Sequence, residues 1–198
     1  MTYKFLNKYD YTTPLSVTSN EATVTYDSIN LRRKVVRKNA QRFEFDISFS
    51  AGRGSTLNSD LMAHWLTYGM ETPFYIDTPQ PLYTEELTIG GLPIRSSAGY
   101  IASNSQIQIY SSAAFNIPAG RFITFSGHSK VYVVKETLSG TSGVLKIAPP
   151  LVSSIAQDEQ IKITDVKALV LNEAENSVIS YESGIMQTAK LKFVEHLG

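Results

Sequence analysis

"RFITFSGHSKVYVV", residues 121–134, holds two runs of strand-forming residues on either side of a short polar interruption. Phe122, Ile123 and Phe125 read as one strand, and Val131, Tyr132, Val133 and Val134 as the next. Gly127 permits a turn and Ser129 can bond nearby backbone, so Gly127, His128, Ser129 and Lys130 read as a hairpin turn. A histidine beside a serine and a lysine also raises the question of chemistry. A nucleophilic site needs a base, oriented by a third group, next to an activated hydroxyl. No base or acid partner accompanies this turn in the sequence, and the reading is structural.

The same texture extends outward from the hairpin. In "RFEFDISFS", residues 42–50, Phe43, Phe45, Ile47 and Phe49 alternate with Arg42, Glu44, Asp46 and Ser48, the pattern of a half-buried strand. Shorter strand signals fall at 22–26, 106–110, 122–125, 131–135, 144–147, 160–164 and 190–194, separated mostly by Gly, Ser, Pro and Asn. The fold class is therefore mainly β. One segment departs from it. In "STLNSDLMAHWLTYGMETPF", residues 55–74, Leu57, Leu61, Met62, Trp65 and Leu66 recur at helical spacing. Asn58 or Ser59 can cap the start, and Gly69 can close the end before Pro73, which predicts one helix over about 58–68. His64, beside the Trp65 face, reads as a packing or surface residue.

Two stretches read as crossings between units. "DTPQPLYTEE", residues 77–86, carries two prolines and no periodicity, and "KITDVK", residues 162–167, lies where the character changes back. Between them stand about eighty residues of short strands, the size of a small closed barrel.

Composition narrows the function classes. Eighteen basic and eighteen acidic residues cancel, so no global field points to nucleic acid or to a membrane surface, and a near-neutral surface suits a subunit that assembles. Without cysteine there is no disulfide, thiolate metal site or cysteine nucleophile. The start, "MTYKFLNKYDYTTPLSV", lacks the apolar core of a signal peptide, and no run approaches a membrane span. There is no G-x-S-x-G elbow, H-E-x-x-H helix, P-loop or Rossmann fingerprint. His64, His128 and His196 have no ligand spacing among them. Glu85-Glu86 and Asp158-Glu159 sit in turn-like segments and read as solvated charge. The expectation is a non-enzyme with no catalytic residue, cofactor or metal.

One charged stretch stands apart. "NLRRKVVRKNAQRF", residues 30–43, holds Arg32, Arg33, Lys34, Arg37, Lys38 and Arg42 with no acidic residue. In a monomer it reads as a solvated strand and turn. In a ring it would be repeated around an axis, as a stripe facing a lumen or a partner.

"IPAGRFITFSGHSKVYVVKETLSGTSGVLKIAPPL", residues 117–151, resembles the inserted barrel of the distal tail proteins of long-tailed bacteriophages. The matching features are Ala119, Gly120, His128, Lys130, Val131, Tyr132, Ile147, Pro149 and Leu151. Outside this stretch the resemblance rests on the order of elements: a basic and alternating strand pair, a helix, "PFYID", the insert, then returning strands. It implies a β-sandwich resembling tail-tube proteins, built from 1–83 and 165–198 with the one helix. Inserted over 84–164 would be a small barrel like the oligonucleotide/oligosaccharide-binding (OB) fold. It further implies a structural virion protein of the tail tip, made in the host cytoplasm and not bound to membrane. Six copies would form a ring joining the tail tube protein to the hub protein and the receptor-binding apparatus, with DNA passing through without sequence-specific binding. Two other classes are a carbohydrate-binding module and a cell-wall hydrolase. The first is disfavoured because the one Trp lies on a helix face, the second by the missing catalytic constellation.

Overall fold

The computed structural model describes residues 16–27, 33–52, 63, 67, 69–78, 88–89, 93–173, 178–180 and 186–197. Side chains are described for 16–20, 41–48, 63, 67, 69–78, 93–173 and 190–197. The elements in chain order are β1 (Ser16–Asp27), β2 (Arg33–Gly52), β3 (Phe74–Asp77), β4 (Thr88–Ile89), β5 (Ile94–Ser96), β6 (Gln106–Ile117) and β7 (Phe122–Phe125). They continue with β8 (Val131–Val134), β9 (Leu138–Ala148), β10 (Gln160–Lys162), β11 (Lys167–Asn172), β12 (Val178–Ser180) and β13 (Met186–Glu195). The protein is mainly β, with a closed barrel and a separate sheet.

The chain divides into two compact units. One comprises Met1–Asn20, Arg42–Asp77 and Ala168–Gly198; the other comprises Glu21–Gln41 and Thr78–Lys167. The barrel segment thus opens at Thr78 and closes at Lys167, a little wider than the expected 84–164, and Glu21–Gln41 groups with it.

The first unit is organised by an open sheet of order β1-β2-β13-β11-β3, with β12 also paired to β13. The alternation in 42–50 does what it predicts, because antiparallel pairing puts like faces together. Phe45 stands opposite Phe193 and Ile47 opposite Leu191, and all four are at most 2% exposed. Phe74 of β3 meets Phe193 edge-on, with ring centroids 5.5 Å apart. Burying each such side chain contributes about 1.5–3 kcal/mol. The basic stretch differs from the expected strand and turn: from Arg33 onward it continues into the alternating stretch as one 20-residue strand. Of the predicted helix, Ala63 and Thr67 are helical, and the Thr67 hydroxyl donates to the Ala63 carbonyl (2.7 Å). Its remaining residues, His64 and Trp65 included, lie outside the described ones.

The second unit holds the barrel. Its strands run β4-β6-β5-β10-β7-β8-β9, and β9 returns to pair with β6. Six strands therefore close into a ring, with β4 attached outside it, where an OB barrel closes with five. The β6–β9 ladder runs from Gln106 opposite Lys146 to Ile117 opposite Leu138, with an irregularity between Tyr110 and Phe115. A barrel this narrow has room only for side chains. Ile107, Ile109, Ile117, Ile123, Tyr132, Leu145 and Ile147 fill it, each 0% exposed. The barrel segment begins and ends at one place. Thr78 donates both its amide (3.0 Å) and its hydroxyl (2.9 Å) to the Val166 carbonyl.

Candidate functional site

The 126–130 turn between β7 and β8 is built as structure. The His128 amide donates to the Phe125 carbonyl (3.0 Å), and the Thr124 hydroxyl donates to the Lys130 carbonyl (3.0 Å). Gly127 has no unusual φ but sits close under the Glu159 carboxylate. A Cβ there would lie 3.0 Å from Glu159 Oε1, the atom that accepts the Gly127 amide at 2.9 Å. The left-handed glycine of this region is Gly120, at φ +78°, whose amide donates to the Val134 carbonyl. Lys130 is 3% exposed and belongs to the packed part of the hairpin.

His128 joins the turn to the 151–155 segment. Its Nε2 faces the Ser154 carbonyl at 3.2 Å, so Nε2 carries the proton. Its Nδ1 lies 3.4 Å from the Tyr132 hydroxyl, which also accepts the Val152 amide at 3.2 Å. The Phe125 ring meets Tyr132 edge-on at 5.5 Å and His128 at 5.7 Å. Ser153 Oγ stands 3.3 Å from both ring nitrogens, a further polar neighbour from the 151–155 segment. Both nitrogens face structural partners and none of these contacts is a carboxylate, so the cluster has no orienting acid for a nucleophile. It is a latch between two segments of the barrel.

Asp158 is exposed in a turn, as expected, and Glu159 is half-buried, and both also bond specific partners. Glu159 accepts the Gly127 amide through Oε1 and the Ala156 amide (3.0 Å) through Oε2. Its own amide donates to the hydroxyl of Ser96, which is fully buried. Asp158, at φ +64°, accepts the Tyr110 phenol at 2.6 Å, while Arg95 donates to its carbonyl at 2.9 Å. The Asp158 carboxylate raises the Tyr110 hydroxyl above the ordinary tyrosine pKa. Apart from Ala156, three residues from Glu159, these partners lie 32 to 63 residues away, where sequence spacing could not show them.

In the first unit, three charged side chains cluster on the face opposite the core. Lys192 Nζ lies 2.9 Å from both Glu44 Oε2 and Glu173 Oε2, and Asn20 donates to Glu44 Oε1 at 2.7 Å. The Asn20 amide and then Lys192 hold the Glu44 carboxyl below its usual range, against the opposing effect of burial. Glu173 and Glu44 hold the Lys192 ammonium well above its usual value. Beside this cluster an open groove of about 550 Å³ runs between Arg42, Met70, Leu171, Val194, His196 and Leu197. Met70 and Leu197 on it are 53% and 37% exposed.

Of the basic stretch, Arg33, Lys34, Arg37 and Lys38 lie on β2 with their side chains outside the described ones. Arg32 lies outside the described residues altogether. Among the described residues no group of three His, Asp or Glu could hold a metal ion, and no helix is long and apolar enough to cross a membrane. No protein family model matches the chain, and no curated protein matches it.

Proposed function

We propose that the protein is a ring-forming structural subunit of a phage tail tip, of the distal tail type. The observation that carries this reading is the insertion. A closed barrel interrupts an open sheet between β3 and β11, which are neighbours in that sheet, and its two ends meet where Thr78 bonds Val166. That order, an open sheet with a helix and a barrel inserted before the returning strands, is the order the resemblance calls for. The sheet would then be half of a tube-like sandwich, and the barrel an OB-like insert.

Two further observations support it. The sheet ends in edge strands, β1 and β3, and an edge strand is a natural surface for pairing with another copy. The zero net charge lowers the cost of bringing copies together. Six copies would join the tube protein to the hub, with DNA passing through and with Arg33, Lys34, Arg37 and Lys38 repeated around the axis.

Particle mass in solution tests the reading. A ring has six times the 21.9 kDa chain mass and a central hole by electron microscopy. A protein that stays monomeric at all concentrations overturns it. Replacing Arg33 and Lys34 by Glu should shift the salt dependence of assembly, because exposed charges are screened beyond about 10 Å at 0.1 M salt. Assembly indifferent to both would leave the basic stretch as ordinary solvated surface.

A further inference from the structure

Four exposed apolar side chains fall in two places of opposite shape. Met70 and Leu197 line the open groove beside the Lys192 cluster. Ile101 and Val152 stand on a projecting tip of the barrel, 75% and 38% exposed.

The tip is made of two segments, 99–104 and 151–155, tied side by side. Tyr100 and Ile155 exchange both main-chain bonds (3.0 and 2.9 Å). Ser103 donates to the Leu151 carbonyl (2.7 Å), and Leu151 to the Asn104 carbonyl (2.8 Å). Ile101 and Val152 lie between these two points of attachment, while Leu151 and Ile155 are buried in the core. Ser103 takes the left-handed φ of +75° that turns the chain here. The Val152 amide is held by Tyr132, and the Ser154 carbonyl by His128. A tip fixed at this many points loses little freedom when something covers it.

Its charge is as distinctive as its shape. Residues 96–120 and 147–157 contain no Asp, Glu, Lys, Arg or His, in a chain that is 18% charged. The buried centre of a protein interface is depleted of charge in the same way. The groove matches it. Its two acids are already bonded, Glu173 to Lys192 at 2.9 Å and Glu195 to the Phe43 amide at 3.0 Å. Arg42, exposed on the rim, offers donors only, and the serine hydroxyls and main-chain carbonyls of the tip are acceptors. An uncharged aliphatic tip therefore enters this groove without stranding an ion. At about 550 Å³ the groove is of the size that holds a drug-sized ligand, more than two aliphatic side chains need.

We propose that the barrel tip of one copy docks in the sheet groove of the next, with Ile101 and Val152 against Met70 and Leu197. Tip and groove are different patches of one chain, so the contact is head-to-tail, and head-to-tail contacts close into rings where the rotation allows. The inference rests on the ring reading and gives the barrel a part in it.

The full chain is weighed in solution across a concentration series. Wild type should assemble. Ile101→Glu should raise the concentration at which half the chains are assembled about tenfold or more, and so should Met70→Lys. Both positions are exposed, and the double variant controls for folding. It sets opposite charges at the contact and should recover most of the assembly, which a loss of stability would not allow. The chain has no cysteine, so a direct check is clean. Ile101→Cys copies mixed with isotope-labelled Met70→Cys copies and a short bismaleimide should give linked pairs holding one chain of each kind. Rings indifferent to Ile101→Glu, a double variant without recovery, or no mixed pairs would overturn the docking and leave the ring reading standing. A wild-type chain that stays monomeric would overturn both.

Discussion

The barrel and the sheet bury their apolar faces in opposite ways. The barrel closes on itself: β9 returns to β6, so the six strands of its ring have no free edge, and its interior is aliphatic and aromatic. The sheet stays open, ends at β1 and β3, and carries a charged cluster of Glu44, Lys192 and Glu173 on the face away from its core. Closure makes a unit self-sufficient, because every main-chain group of a ring strand has a neighbour on both sides. An open sheet leaves the main-chain groups of its edge strands without that neighbour, which is why the proposed ring would pair copies through the sheet.

The largest effect expected is in the barrel core. Phe125 is 1% exposed and packs on Tyr132, so Phe125→Ala should cost about 3–5 kcal/mol. Denaturant unfolding should show the barrel transition moving to lower denaturant while the sheet transition stays. A single shared transition that moves as a whole would mean the two units are not separate. The contrast sharpens with the barrel expressed alone, residues 78–167: circular dichroism should show it folded and its mass should be monomeric.

The sheet should respond most to its charges. Lys192→Met leaves Glu44, 8% exposed, beside Glu173 without the ammonium between them. The expected loss is about 1–3 kcal/mol, read from the sheet transition. The same cluster sets a pH window. Glu44 is held below its unfolded value of about 4.3, so its contribution is present above that pH and lost as the pH falls further. Lys192 is held above its unfolded value of about 10.4, so its contribution is present below that pH and lost as the pH rises past it. Sheet stability should be flat between these limits and fall on both sides; Lys192→Met should remove the alkaline limb and only reduce the acid one, because Asn20 still donates to Glu44. A pH profile unchanged by the substitution would remove the cluster from the account.

The smaller effects return to the barrel. Tyr132→Phe removes the hydroxyl that receives the Val152 amide and should cost about 1 kcal/mol in the barrel transition. His128→Ala should cost less, with no reaction lost, and loss of a measurable turnover in a folded variant would overturn the latch assignment. Lys146→Ala breaks an ion pair whose side chains are 40% and 64% exposed. It should shift the melting temperature hardly at all.

How much of this was readable from the chain depends on how locally each feature is written. The hairpin at 121–134 was fully legible, because two buried four-residue strands and their turn lie within one short stretch. β5, three residues long, is too short to show a period, whereas the signal at 160–164 does fall on β10. β11 escaped because Leu169 and Leu171 on its second face are half-buried, which erases the alternation of Ala168 and Val170. Tyr132 offered a clue: a tyrosine inside a buried strand must find a partner for its hydroxyl, and His128 is four residues away.

Side-chain period was enough to establish that the protein is mainly β and where its longest alternating strand lies. Residue order was enough to establish that no familiar catalytic motif is present. Tertiary structure alone decided that β9 closes on β6 and that Thr78 meets Val166. It alone set Glu44 and Glu173 on either side of Lys192, and Tyr110 on Asp158. The reason is physical. A strand's alternation states which face is apolar but not which strand it will join. Partner choice is settled by the collective packing of distant segments and by the demand that every buried polar group be bonded.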